Sequence, residues 1–202
     1  VTEDELKKEL WPVDQSTFIF SSDNPADFLV NLWGGNNGES EFIQTNCWLV
    51  PKKLIENAGG WRQYRCPDDD GEFFTRILLA SEGIVYVPGI VNYYRREKSK
   101  HKLSANSDKK YVQNTLLTID LKYSYLKKRI EEKKIRQAFA KQYLDFAIYN
   151  YPQHTLFSKI AYKRYKEMGS PAVTPLLGGK ITELIKNVFG WKLARLIKFY
   201  FR

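Results

Sequence analysis

The order of apolar and polar positions divides the chain into a mixed first part and a helix-periodic second part. In SSDNPADFLVNLW (21–33), Asp23 and Asn24 precede Pro25 and a helix-spaced apolar set. This predicts a helix capped by Asp23 or Asn24, with Pro25 in its first turn. GGNNGES (34–40) reads as loop. CWLV (47–50) is a short continuous apolar run that predicts a buried strand. Pro51 then opens a helix over KKLIENA, stopped by Gly59 and Gly60. After Asp68, Asp69 and Asp70, the residues Phe73, Phe74, Ile77, Leu78 and Ala80 recur at helical spacing, and Glu82 with Gly83 ends that helix. IVYV (84–87) and IVNYY (90–94) predict strands parted by Pro88 and Gly89.

RREKSKHKLSANSD (95–108) is a polar, basic connector, and from Lys109 onward nearly every segment has helical periodicity. Helices are predicted over 109–132, 134–151 and 155–168, then over a last segment from about Thr182 to Arg202. The last segment sets an apolar stripe (Ile185, Phe189, Leu193, Leu196, Tyr200) against Lys192, Arg195, Lys198 and Arg202. That pattern suits an interfacial helix on anionic lipid, and equally a helix docked on its neighbours with a basic outer face.

Composition sharpens the division. The chain has 202 residues and a net charge of +9, but residues 1–91 carry 7 Lys and Arg against 15 Asp and Glu, whereas residues 92–202 carry 25 against 8. An acidic part thus precedes a basic part fitted to phosphates or an anionic membrane. Hydrophobic content of 43% excludes global disorder. Cys47 and Cys66 form no disulfide framework and fit a reducing compartment. No signal peptide opens the chain and no apolar run is long enough to span a bilayer. The chain begins at Val1, which reads as a processed, trimmed or partial protein.

The candidate chemistry lies in YRCPDDDGEFFTRILLASEG (64–83). Three readings of its carboxylates compete. Asp at a helix start satisfies free N–H groups, for roughly 0.5–2 kcal/mol. Asp68 and Asp70 also form an Asp-x-Asp spacing that offers oxygen ligands to Mg²⁺ or Mn²⁺. Alternatively, a carboxylate partly desolvated by Phe73 and Phe74 could accept a proton from an attacking hydroxyl.

The flanks carry a resemblance. FIQTNCWLVPKKLIENAGGWRQYRCPDDDGEFFTRILLASEGIVYVPGIVNYYRR (42–96) resembles the C-terminal half of the catalytic domain of family-2 glycosyltransferases with the GT-A fold. The matching parts occur in order: WLVPKKLIENAGGW, an acidic pair, GEFFTRIL, a glycine, a short strand, a proline and YYRR. The resemblance implies an α/β, partial GT-A-like domain with a mixed sheet over residues 1–96, a basic connector over 97–108, and a mainly helical tail over 109–202.

It implies inverting transfer of a sugar from a nucleotide-sugar donor to a glycan or lipid-linked acceptor, as in cell-surface polysaccharide synthesis. Asp69 and Asp70 match the family's acidic pair, with Asp70 as the base on the acceptor hydroxyl and Asp69 supporting it. Trp48, Glu72 and Arg76 become candidate substrate-binding residues, although the spacing of Glu72 and Arg76 equally predicts a structural ion pair. Arg95 and Arg96 would approach the donor diphosphate. His101 is a candidate metal ligand or a solvated side chain. The complete enzyme is expected to use a divalent metal, Mg²⁺ or Mn²⁺. Only 41 residues precede Phe42, too few for the family's donor-binding half, so this chain is expected to be its acceptor-side part. A cytoplasmic protein, peripheral at the inner face of the plasma membrane through residues 182–202, is the expected setting. The rival class is a noncatalytic basic module for anionic membrane or nucleic acid, with Tyr111, Tyr123, Tyr125 and Tyr143 interleaved among cations. No compact nucleic-acid-binding motif appears.

Overall fold

A computed structural model describes residues 19–36, 38–90, 92, 108–169 and 174–201. The chain is mostly helical, with eight α-helices and one small antiparallel hairpin among these residues. Helix α1 (Pro25–Leu32) forms where the sequence predicts, and Asn24 is its cap: its side-chain oxygen accepts the Asp27 N–H at 3.1 Å. The following stretch is not loop. Strand β1 (Trp33–Asn36) pairs with β2 (Glu39–Ser40), and β1 lies against α1 and the central helix.

The expected mixed sheet is not found among the described residues. CWLV contributes to a 3-10 turn (Thr45–Cys47) and then runs extended without a partner strand. Leu49 is fully exposed while Trp48 and Val50 pack inward, so this run has one buried face and no ladder. In the IVYV stretch, Ile84 makes a single antiparallel bridge to Ser22, and Val85, Tyr86 and Val87 are exposed. Ile90 and Asn92 stand outside any strand; the remainder of the second expected strand, and nearly all of the basic connector, lies outside the described residues.

Helix α2 (Lys52–Ala58) ends at Gly59 as expected, and α3 (Asp69–Ala80) stops at Ser81, just short of the expected Glu82. The second part supplies α4 (Lys109–Leu126), α5 (Glu132–Tyr149) and α6 (Thr155–Glu167). The single last helix is a correction: α7 (Lys180–Phe189) and α8 (Trp191–Tyr200) are separated at Gly190. Its φ of 86° and ψ of 161° break the helix in a region that side chains disfavour.

Helix α5 is the centre of the core. Phe139, Tyr143, Leu144, Ala147 and Ile148 are almost wholly buried, each large side chain contributing about 1.5–3 kcal/mol by leaving water. Small residues let α6 approach: Ala161 is buried, and Ser158 Oγ donates to the Ala147 carbonyl at 2.7 Å. The same core takes in Phe28, Leu29 and Leu78 from the acidic part and Trp191 and Ala194 from α8. The charge division therefore does not divide the core.

Candidate functional site

The carboxylate cluster is held by aromatic packing. On α3, Phe73, Phe74 and Ile77 pack against Trp48, Val50, Leu54, Ile55 and Ala58. Trp48 stacks on Phe74 with ring centroids 5.2 Å apart, and Trp61 lies 4.6 Å from Phe73. This fixes the start of α3, whose first turn then presents the acidic residues.

The four carboxylates go to different places. Asp68 occupies the cap position, but its side chain does not cap α3. It turns to α4 instead, where Lys122 Nζ donates to Oδ1 at 2.7 Å and Thr118 Oγ1 to Oδ2 at 2.8 Å. Gly71 leaves room for this: a Cβ there would meet Asp68 Oδ1 at 2.3 Å. Asp69 Oδ1 accepts the Asp70 N–H at 2.9 Å, and burial pushes its carboxyl above the ordinary range. Asp70 accepts the Gly71 N–H at 2.9 Å on one oxygen and the Thr45 hydroxyl at 3.1 Å on the other.

Glu72 and Arg76 do not line the cleft described next, and the ion pair that their spacing predicts forms between them. Glu72 is completely buried and accepts from Arg76 Nε at 2.9 Å, Arg62 Nη1 at 3.2 Å and Tyr125 OH at 2.9 Å. Arg76 also donates to the Ala58 carbonyl and, at 2.7 Å, to the Gly60 carbonyl, satisfying the open end of α2. Their ion pair lies within α3, and the bonds from Arg76 to the Ala58 and Gly60 carbonyls tie the end of α2 to it. Arg95, Arg96 and His101 lie outside the described residues.

A cleft of about 250 Å³ opens beside the start of α3. Asp68, Asp70 and Trp48 line it from the acidic part, together with Trp33 and Glu41. Its facing wall comes from the basic helices: Lys122 on α4, and Lys141, Gln142 and Asp145 on α5. Lys122 is 2% exposed, and its ammonium lies 4.7 Å from the Trp33 ring centre, a cation–π contact added to its bond with Asp68. Lys141 Nζ donates to Asp145 Oδ2 at 2.8 Å, while burial raises the Asp145 carboxyl above the ordinary range. Gln142 Nε2 and Asp145 Oδ1 are buried without a hydrogen-bond partner among the described residues.

Of the residues expected at the site, the cleft brings together Asp70 and Trp48, with Asp69 adjacent in sequence to Asp70. The helical wall lies outside the residues expected at the site. A signal for it exists: Lys122 interrupts the apolar spacing of Val112, Leu116, Ile119 and Leu126, and a charge on a core stripe needs a buried partner.

The aspartates do not compose a metal site. Asp68 is taken by Lys122 and Thr118, Asp69 is turned to the Asp70 N–H, and among the described residues no group of three acidic, His or Cys side chains converges. The tyrosines considered for base stacking serve the fold. Tyr111 and Tyr143 are buried, and Tyr123 and Tyr125 donate to Glu132 and Glu72. Cys47 and Cys66 are both free, and burial raises the Cys66 thiol.

Comparison with protein-family models, curated proteins and solved structures finds no match to this chain.

Proposed function

We propose that the chain is the acceptor-side part of an inverting glycosyltransferase of the GT-A type, with the cleft beside α3 receiving a glycan or lipid-linked acceptor. The observation that carries this reading is Asp70, held at a helix start on the cleft wall beside Trp48. Asp70 takes the proton of the acceptor hydroxyl as its oxygen bonds to the anomeric carbon of the donor sugar. The bond from that carbon to the diphosphate oxygen breaks, and a nucleoside diphosphate leaves from the opposite face. Thr45 and the Gly71 N–H orient the carboxylate. Gln142 and Asp145 on the facing wall supply polar groups toward a polyhydroxylated ligand. The nucleotide-sugar is held by a donor-binding half beyond these residues. A divalent metal, where used, would belong with the diphosphate there; the aspartates of α3 do not fit it, and no step runs through them to it. A cytoplasmic setting follows for such a donor. Among the described residues, no helix is long and apolar enough to cross a membrane.

The test joins the chain to a donor-binding half and follows transfer from nucleotide sugars to glycan and lipid-linked acceptors by mass spectrometry. Asp70→Asn should lower turnover by roughly 10²- to 10⁴-fold, the range for losing a general base, while circular dichroism and acceptor binding stay unchanged. Retained turnover would remove Asp70 from the role.

A further inference from the structure

Helix α7 is amphipathic in the opposite sense to a helix packed in water. Its apolar side faces out: Ile181 is 76% exposed, Leu184 64%, Val188 63% and Phe189 68%. Its sheltered side carries polar residues together with Ile185, which packs on the core. The Lys186 side chain is 9% exposed and that of Glu183 22%; the two pair at 2.5 Å. Glu183 also accepts the Leu177 and Gly178 N–H groups, and Lys186 donates to the Pro175 carbonyl. The polar face is thus spent on holding α7 to the preceding turn, and the apolar face is presented outward. Ile181, Leu184 and Val188 recur at three- and four-residue spacing and form one continuous strip. Leu176, Phe199, Tyr200 and Phe201 add exposed apolar surface nearby in sequence.

Charge selects what covers this strip. Within 174–201, Lys180, Lys186, Lys192, Arg195 and Lys198 are opposed by a single acid, Glu183. Arg195 and Lys198 are tied to backbone carbonyls of neighbouring segments, so they are not the free basic face the sequence pattern implies, yet their charges remain. Helix α6 adds more cations. Its Tyr162 packs against Trp191 of α8 at 5.5 Å, with Lys192 Nζ 5.4 Å and Lys166 Nζ 5.6 Å from the Tyr162 ring centre. Aliphatic and aromatic side chains bordered by lysine are what the headgroup region of an anionic bilayer accepts: the apolar atoms enter the acyl boundary and the ammonium groups stay at the phosphates.

We propose that α7 and α8 form an interfacial hairpin that seats the outward strip Ile181, Leu184 and Val188 in an anionic phospholipid surface. The proposal stands independently of the glycosyltransferase reading.

The full chain is sedimented with vesicles of phosphatidylcholine alone and of phosphatidylcholine with phosphatidylglycerol, and its mass is followed against concentration. The parent should bind the anionic vesicles more tightly. I181S/L184S/V188S, confined to exposed positions, should keep the parent's circular dichroism and weaken that binding by roughly a hundredfold, since it removes the apolar anchor. K180Q/K192Q should lower the preference for anionic over neutral vesicles by about tenfold. Absence of binding, equal binding to both vesicles, or unchanged binding by the folded triple variant would overturn the proposal. So would a concentration-dependent dimer that the triple variant abolishes, which would give the strip to a second copy.

Discussion

Helices α3 and α7 are both amphipathic, yet they face opposite ways. Helix α3 hides Phe73, Phe74 and Ile77 and even takes a fully buried carboxylate, Glu72, into its packing. Helix α7 hides a lysine and a glutamate and shows Ile181, Leu184 and Val188. The same periodic pattern therefore does not fix which face points inward; the available partners do. Helix α3 has an aromatic platform and three donors for Glu72, so its orientation is satisfied within the chain. Helix α7 has polar partners on its inner side, and of its aliphatic residues Ile185 is the one that packs on the core.

The strongest way to break this contrast is at Glu72. Glu72→Ala leaves Arg76 buried without its carboxylate and should cost about 3–5 kcal/mol, measured by urea unfolding. A loss near zero would mean that α3 is held by its aromatics alone. Leu184→Ser on α7 should change stability by no more than about 0.5 kcal/mol in the same assay, because the side chain already faces solvent. A large loss would show that α7 is packed after all. The smallest effect is expected at Asp69, whose carboxyl is raised chiefly by burial. Its contribution to folding is present below the ordinary carboxylate pKa and lost as pH rises through the higher folded value. Thermal midpoints of Asp69→Asn and the parent should coincide in acid, with the variant slightly higher near neutrality. The opposite order would mean that the charged carboxylate is stabilised at the start of α3.

Local signals were the legible ones. Asn24 with Pro25, the Gly59 stop and the apolar spacing on α3 each act through a few neighbouring residues, so α1, α2 and α3 can be read directly. CWLV and IVYV do not form strands, because a short apolar run specifies burial without specifying a pairing partner. Gly190 does not stand out as a stop in the sequence because apolar spacing continues on both sides of it, although its backbone ends the helix. At the site, Asp70 and Trp48 could be named from their setting in the sequence. Lys141, Gln142 and Asp145 could not, because their approach to Asp70 depends on tertiary packing around α5.

The bond between Lys122 and Asp68 spans 54 residues, and it bears on the order in which the protein can be completed. During synthesis the acidic loop leaves the ribosome well before α4, so Asp68 has no counter-ion until much of the chain has emerged. Nascent chains ending before Lys122 would carry Glu41, Asp68 and Asp70 and still lack the opposite wall of the cleft. The cleft is therefore a late product of translation, and competence for any chemistry there arrives only after most of the chain has been made.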